Sequence, residues 1–226
     1  MNVGILETGA PPAGLVERFG AYPSMLADLL GPGFETASYD VAAGNLPSPT
    51  DHPAWLITGS PAGVYEDHSW IPPLEDFLRA AKGKSKLVGI CFGHQIMAQA
   101  FGGRVEKSER GWGIGLQSYD VVETAPWMDD SERFAIPVSH QDQIVEQPPK
   151  SRILAANAFS PFGLIAYDDQ PAISFQGHPE WESDFAKALI EARRTRLPDP
   201  GRAIASLNRP SDRGRVAQWI RDFLKS

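Results

Sequence analysis

The chain has one cysteine, Cys91, among 226 residues, so no disulfide can form within it. It has no apolar run approaching the roughly 20 residues that a membrane helix requires. The opening MNVGILETGAPP has neither the basic start nor the long apolar stretch of an export signal, and no Asn-x-Ser/Thr acceptor occurs. These absences predict a reducing, cytoplasmic setting. A surplus of positive charge is also missing: 28 Asp and Glu stand against 21 Lys and Arg, for a net charge of -7. No broad basic field is available for a phosphate backbone or an anionic membrane, so neither nucleic acid nor membrane is an expected partner.

What is present is the composition of a globular protein, 42% hydrophobic and 22% charged. At about 150 residues per domain the length predicts a single domain over 1–226, with its core over about 1–190 and a helical extension over about 191–226. In the first half, apolar strands alternate with amphipathic helical patterns, as in a parallel sheet covered by helices on both faces. NVGILE, ETASYDVA, AWLITGS and KLVGI read as strands. Between them, YPSMLADLLG aligns Met25, Leu26, Leu29 and Leu30 on one helical face, and WIPPLEDFLRAAKG aligns Leu74, Phe77 and Leu78. After residue 103 the pieces become short and β-rich: RVEKSE, GIGLQSYDVVE, RFAIPVS, RILAANAF, FGLIAYD and PAISFQG. They predict an antiparallel or mixed extension. Two helical patterns, SDFAKALIEARR and RGRVAQWIRDFLK, follow, separated by the polar TRLPDPGRAIASLNRPSD. The bends around PPAG, PSPTDHP and EQPP read as loops.

Cys91 stands in GICFG, between a buried strand and a helix, with Gly89 and Gly93 two residues away on either side. That is the spacing of a strand-to-helix nucleophile elbow. Glycines relieve the crowding of so sharp a turn, and the helix start favours a thiolate while aiming the Phe92 amide at the space beside the sulfur. Two readings stand on this segment alone: a small buried hydrophobe, or a nucleophile.

A cysteine nucleophile requires a base, and the base an orienting group. His52 and His68 lie in polar stretches and read as solvated loop residues; His94, one turn along the helix, reads as a packing or supporting residue. His178 ends a strand and is followed by Pro179 and Glu180. Proline fixes the backbone direction, so Glu180 can reach back to Nδ1 and leave Nε2 toward Cys91. A charged turn after a strand is the competing reading.

GICFGHQ followed by QGHPE resembles the class I glutamine amidotransferases, above all the glutaminase part of GMP synthase and its free-standing relatives. The likeness runs from the first strand to about residue 185. It implies a flavodoxin-like open α/β sandwich, its sheet mostly parallel with a small antiparallel β extension. It implies a catalytic triad of Cys91, His178 and Glu180. The family's second oxyanion donor, beside that of Phe92, falls in TGSPAGVYED, where Gly59 and Ser60 precede Pro61. Ser60 replaces the usual glycine, which leaves open whether the oxyanion hole is preformed. The resemblance further places Gly59, Gln95 and the SHQDQI residues Ser139, His140 and Gln141 at the substrate, with Asp142 beside them. A capping Gln95 and a strand-end His140 are the competing readings.

The implied activity is hydrolysis of the γ-amide of glutamine or of a γ-glutamyl compound through a cysteine thioester, releasing glutamate and ammonia or an amine. The expected partners are a small-molecule substrate and, in one of two arrangements, a separate ammonia-accepting synthase subunit. No cofactor or metal is expected: GWGIG lacks a dinucleotide context and reads as a bulge or pocket rim, GKS lacks the first glycine of a phosphate loop, and Cys91 with His94 lacks a second ligand pair. Two other classes stay open, a silent binding or regulatory module on this fold and a cysteine-elbow protein of the DJ-1/PfpI type. The latter usually carries histidine where Phe92 stands.

Overall fold

The computed structural model describes Met1–Ser226. In chain order it contains β1 (Asn2–Glu7), α1 (Ala13–Phe19), α2 (Tyr22–Leu30), β2 (Glu35–Asp40), β3 (Ala54–Ile57), α3 (Ile71–Ala81), β4 (Lys86–Ile90), α4 (Phe92–Ala100) and β5 (Arg104–Lys107). There follow β6 (Gly113–Val121), β7 (Arg133–His140), β8 (Asp142–Glu146), β9 (Ser151–Ala156), β10 (Leu164–Tyr167) and β11 (Ala172–Phe175). The chain closes with α5 (Ser183–Ala192), a 3-10 turn (Arg194–Arg196), α6 (Pro200–Ser206) and α7 (Arg213–Lys225). No helix is long and apolar enough to cross a membrane.

One sheet of nine strands runs in the order β2-β1-β3-β4-β11-β10-β9-β6-β7, and β5 pairs with β8 in a separate ribbon. The five strands from β2 to β11 are parallel, and β10, β9, β6 and β7 continue the sheet antiparallel. The expected open, mostly parallel sheet between helices is therefore present. Alternate residues of β3 point to opposite layers: Ala54 and Leu56 pack toward α2 and α7, Trp55 and Ile57 toward α3 and α4. Strands covered on both faces are apolar throughout, hence AWLI and KLVGI. β2 is an edge strand and correspondingly polar.

The antiparallel half curls back over the end of the parallel half. β7 is the far edge of the sheet, yet the Pro137 carbonyl accepts the His178 amide at 2.8 Å, just past the end of β11. Proline fits this edge position because no ladder donor is required of it.

Three features differ from the sequence reading. The PPAG bend is the start of a helix, since Pro12 sits at the N-cap of α1 with a fixed φ of -50°. The polar stretch after residue 195 contains α6: Pro200 opens it and the Asp199 side chain accepts from the Arg202 amide at 3.0 Å. The C-terminal helix is no appendage. Val216, Trp219, Ile220 and Phe223 of α7 belong to the main core, with Trp219 edge-on to Phe134 at 5.3 Å.

Deleting that indole leaves a cavity in a layer that spans the sheet. Trp219→Ala is expected to cost about 3–5 kcal/mol, read by urea unfolding as an earlier midpoint in a single transition. A loss below about 1 kcal/mol contradicts the placement of α7 in the core.

Candidate active site

Cys91 occupies the turn between β4 and α4 with φ 53° and ψ -100°, a left-handed-side backbone that a non-glycine residue rarely adopts. The close approach of β4, α4 and β3 enforces it. A Cβ on Gly93 would stand 2.4 Å from the Ile57 carbonyl oxygen, and one on Gly89 would stand 2.5 Å from the Gly93 carbonyl oxygen. Both glycines are thus required by contact. The Cys91 amide donates to the Phe175 carbonyl and the Gly93 amide to the Thr58 carbonyl, which locks the turn to the two neighbouring strands.

Behind the sulfur lie His178 and Glu180, only 2% and 4% exposed. Glu180 Oε1 is 2.7 Å from His178 Nδ1, and the imidazole stacks on the indole of Trp181 at 3.4 Å with 8° between planes. The ring is therefore fixed by one hydrogen bond, one stacking face and its anchored amide. Burial alone would depress its pKa; the Glu180 carboxylate and the Cys91 sulfur outweigh burial and raise it to about 9. Burial instead pushes His140 down to about 4 and His94 down to about 3, so both are neutral.

Cys91 opens on a cavity of about 290 Å³, also lined by Ser60, Gln95, Ser139, His140 and Gln141. The remaining residues singled out from the sequence, Gly59, Phe92, His178 and Glu180, stand around the sulfur outside this lining. A Cβ on Gly59 would approach His178 Cε1 to 3.1 Å. Phe92 is buried with its ring 5.4 Å from Trp70. Its amide, at the first position of α4, has no acceptor in the helix.

The peptide joining Gly59 to Ser60 is oriented by two hydroxyls. Thr58 Oγ1 and Thr8 Oγ1 lie 3.1 and 3.3 Å from the Gly59 carbonyl oxygen, so the trans Ser60 N–H points away from them. Ser60 has no positive φ, so a side chain is accommodated there without left-handed strain.

Gln95 is more engaged than the sequence suggests. Its Nε2 donates to the Asp142 carbonyl at 2.8 Å and to Gln176 Oε1 at 3.2 Å, leaving Oε1 as its acceptor toward the cavity. Gln176 in turn places Nε2 3.8 Å from the Cys91 sulfur. Gln176 went unremarked in the sequence although it stands in QGHPE; Trp181, directly after that motif, was missed likewise. Thr8, Arg193 and Arg196 carried no local signal.

Among the other histidines, His94 bonds Ser174 Oγ at 2.8 Å inside the core, and His68 pairs with Glu66 at the surface. His52 is not a free loop residue: it bonds the Tyr39 hydroxyl at 2.8 Å and packs edge-on to Trp55. From GWGIG, Trp112 lines the cavity while Gly113 and Gly115 lie in β6. No cluster of three or more His, Cys, Asp or Glu suited to a metal occurs.

Chemically, the arrangement offers a thiol, a base that holds its proton to high pH, and two amides without acceptors. Residues 40–193 match the model of the family described as glutamine amidotransferase class-I. A glutamine amidotransferase-like protein of Schizosaccharomyces pombe is 29% identical over 85% of this chain and 84% of its own. Gamma-glutamyl peptidase 4 of Arabidopsis thaliana is 29% identical over 77% and 74%. The crystal structure of a glutamine amidotransferase from Thermotoga maritima superposes with a TM-score of 0.80 at 16% identity, covering 100% of this chain and 99% of that one.

A raised histidine pKa binds stability to pH. The protonated ring is favoured in the folded state, so its contribution is complete below the unfolded value near 6.5 and is lost as pH rises through about 9. The stability gap between wild type and Glu180→Gln is expected to narrow between those values in thermal melts. A constant or widening gap contradicts the assignment.

Proposed function

This chain belongs to the class I glutamine amidotransferases, and from that premise we propose that it hydrolyses a γ-glutamyl amide through a thioester on Cys91. The observation that carries the reading is the strained Cys91 turn, which lines the cavity with His178, held by Glu180, close by: a Cβ on Gly59 would lie 3.8 Å from Cys91 Cβ and 3.1 Å from His178 Cε1. Strain of this kind costs on the order of 1–3 kcal/mol and persists where the surroundings enforce it. A silent module would gain nothing from it.

In the first half-reaction the Cys91 sulfur attacks the γ-carbonyl carbon as a thiolate, its proton already held on His178. The carbonyl oxygen becomes an oxyanion, accepted by the amides of Phe92 and Ser60. Collapse expels the nitrogen, which takes the proton from His178, and a γ-glutamyl thioester remains. Water then attacks the thioester carbon, giving a proton to His178; the second tetrahedral intermediate collapses, the sulfur leaves and glutamate is released. Glu180 orients the imidazole and offsets the imidazolium charge in each half. Gln95, Ser139, His140 and Gln141 hold the amino-acid end in this reading.

The departing nitrogen has two fates. It leaves as an amine into solvent, or as ammonia passed to a synthase subunit. The relative named gamma-glutamyl peptidase supports the first. A DJ-1/PfpI-type activity is disfavoured because Phe92, where that type carries histidine, is 1% exposed and packs on Trp70.

Acid-quenched mixtures of the protein with a γ-glutamyl dipeptide should contain a γ-glutamyl adduct on Cys91, and Cys91→Ala should form none and lose turnover by at least about 10³-fold. Turnover unchanged in that variant refutes the thioester. Faster release of glutamate from the dipeptide than from glutamine separates the amine fate from the ammonia fate. Thr58→Val, which removes one hydroxyl from the Gly59 carbonyl, should lower kcat roughly tenfold with little change in KM; a change in KM alone contradicts its role in orienting the Ser60 amide.

A further inference from the structure

Two arginines face the Cys91 cavity without a carboxylate from this chain to neutralise them. Arg193 follows α5 and Arg196 closes the 3-10 turn, and both line the cavity with Trp112 and Leu197. The Arg193 side chain makes a single bond, Nη1 to Ser139 Oγ at 3.3 Å. The intervening Arg194 behaves differently, clamped to Glu191 by two bonds of 2.7 Å.

The cavity's other charged residues are Asp142, Lys107 and Glu66. Asp142 accepts from the Tyr65 hydroxyl at 2.9 Å and stands opposite Lys107 in the β5–β8 ladder. Glu66 is bonded to His68 at 2.9 Å. Besides Lys107, which stands opposite Asp142 in that ladder, the positive charge of the lining is that of Arg193 and Arg196, with Trp112 and Leu197 in the same lining. A planar guanidinium with free N–H groups is suited to a carboxylate, which it grips through two parallel bonds.

Position in the chain indicates which part of the substrate this side reads. Cys91, Gln95 and the turn from β7 to β8 lie well within residues 40–193, the span matched to the family, whereas Arg193 is its last residue and Arg196 and Leu197 lie beyond it. Shared residues suit the shared γ-glutamyl half. Residues at the end of the span and beyond it are available to select the departing half, and neutral ammonia offers an arginine nothing to bind.

We propose that Arg193 and Arg196 form a carboxylate subsite for the leaving group, so that the preferred substrates are γ-glutamyl amides of amino acids or peptides; this rests on the thioester reading above. The subsite determines specificity and takes no part in bond making.

The test compares γ-glutamyl-glycine with γ-glutamyl-glycinamide, leaving groups of nearly equal size of which only the first ends in a carboxylate. Wild type is expected to favour the glycine compound in kcat/KM. In Arg193→Gln/Arg196→Gln the ratio between the two substrates should fall by about tenfold or more. The exposed single change Arg196→Gln, which breaks no internal bond, should lower it in the same direction. A ratio that stays constant, whether both rates drop equally or neither changes, overturns the subsite. If neither compound is turned over, the thioester reading fails instead, and calorimetry on Cys91→Ala decides the subsite independently. Tighter binding of the glycine compound, lost with both arginines replaced, supports it; equal affinity for the two overturns it.

Discussion

The site depends on one steric constraint, the contact of the α4 backbone with the β3 backbone at Gly93. No side chain fits there, so α4 starts directly against the Ile57 carbonyl and the residue between β4 and α4 is forced to a positive φ. The consequence is chemical as well as geometric. The thiol sits at the start of a helix, beside the unpaired Phe92 amide, at the C-terminal edge of a parallel sheet where ligands of such folds bind.

The proposed chemistry further requires a base brought from elsewhere in the chain. β11 runs beside β4 in register, Phe175 opposite Ile90, so the residues that follow the two strands meet above the sheet. His178 is then caught between Glu180, Trp181 and the returning edge strand. A buried ion pair is costly to desolvate and gives little net stability. Under the proposed reaction its retention is understood through the proton it keeps on the ring, which passes to the departing nitrogen and is regained from water. The antiparallel half serves the same end: by curling back it supplies Pro137 to fix His178 and Ser139 to meet Arg193.

Much of this was legible in the sequence because its causes are local. AWLI and KLVGI had to be apolar on both faces, and GICFG and QGHPE each compress a turn into a few residues. What was hidden is non-local or weakly patterned. α1 buries no residue and α6 buries only Ala203, so neither writes an apolar stripe. Thr8 reaches the Gly59 carbonyl, 51 residues away, and nothing near Thr8 marks it. Arg193 and Arg196 sit in a polar stretch where charged residues are the common case; only the fold shows that these two, unlike Arg194, face the cavity. His52 was misjudged for the reverse reason, since a polar loop sequence conceals its packing on Trp55.

The central claim is that the Cys91 sulfur is activated by His178 in a cavity shaped for a γ-glutamyl group. It is tested most directly by treating the intact protein with a γ-electrophilic glutamine analogue and locating the label by peptide mass mapping. The account predicts modification at Cys91, slowed by glutamate or a γ-glutamyl compound and strongly suppressed in His178→Asn. An unlabelled Cys91, or labelling indifferent to both the competitor and His178, would contradict it.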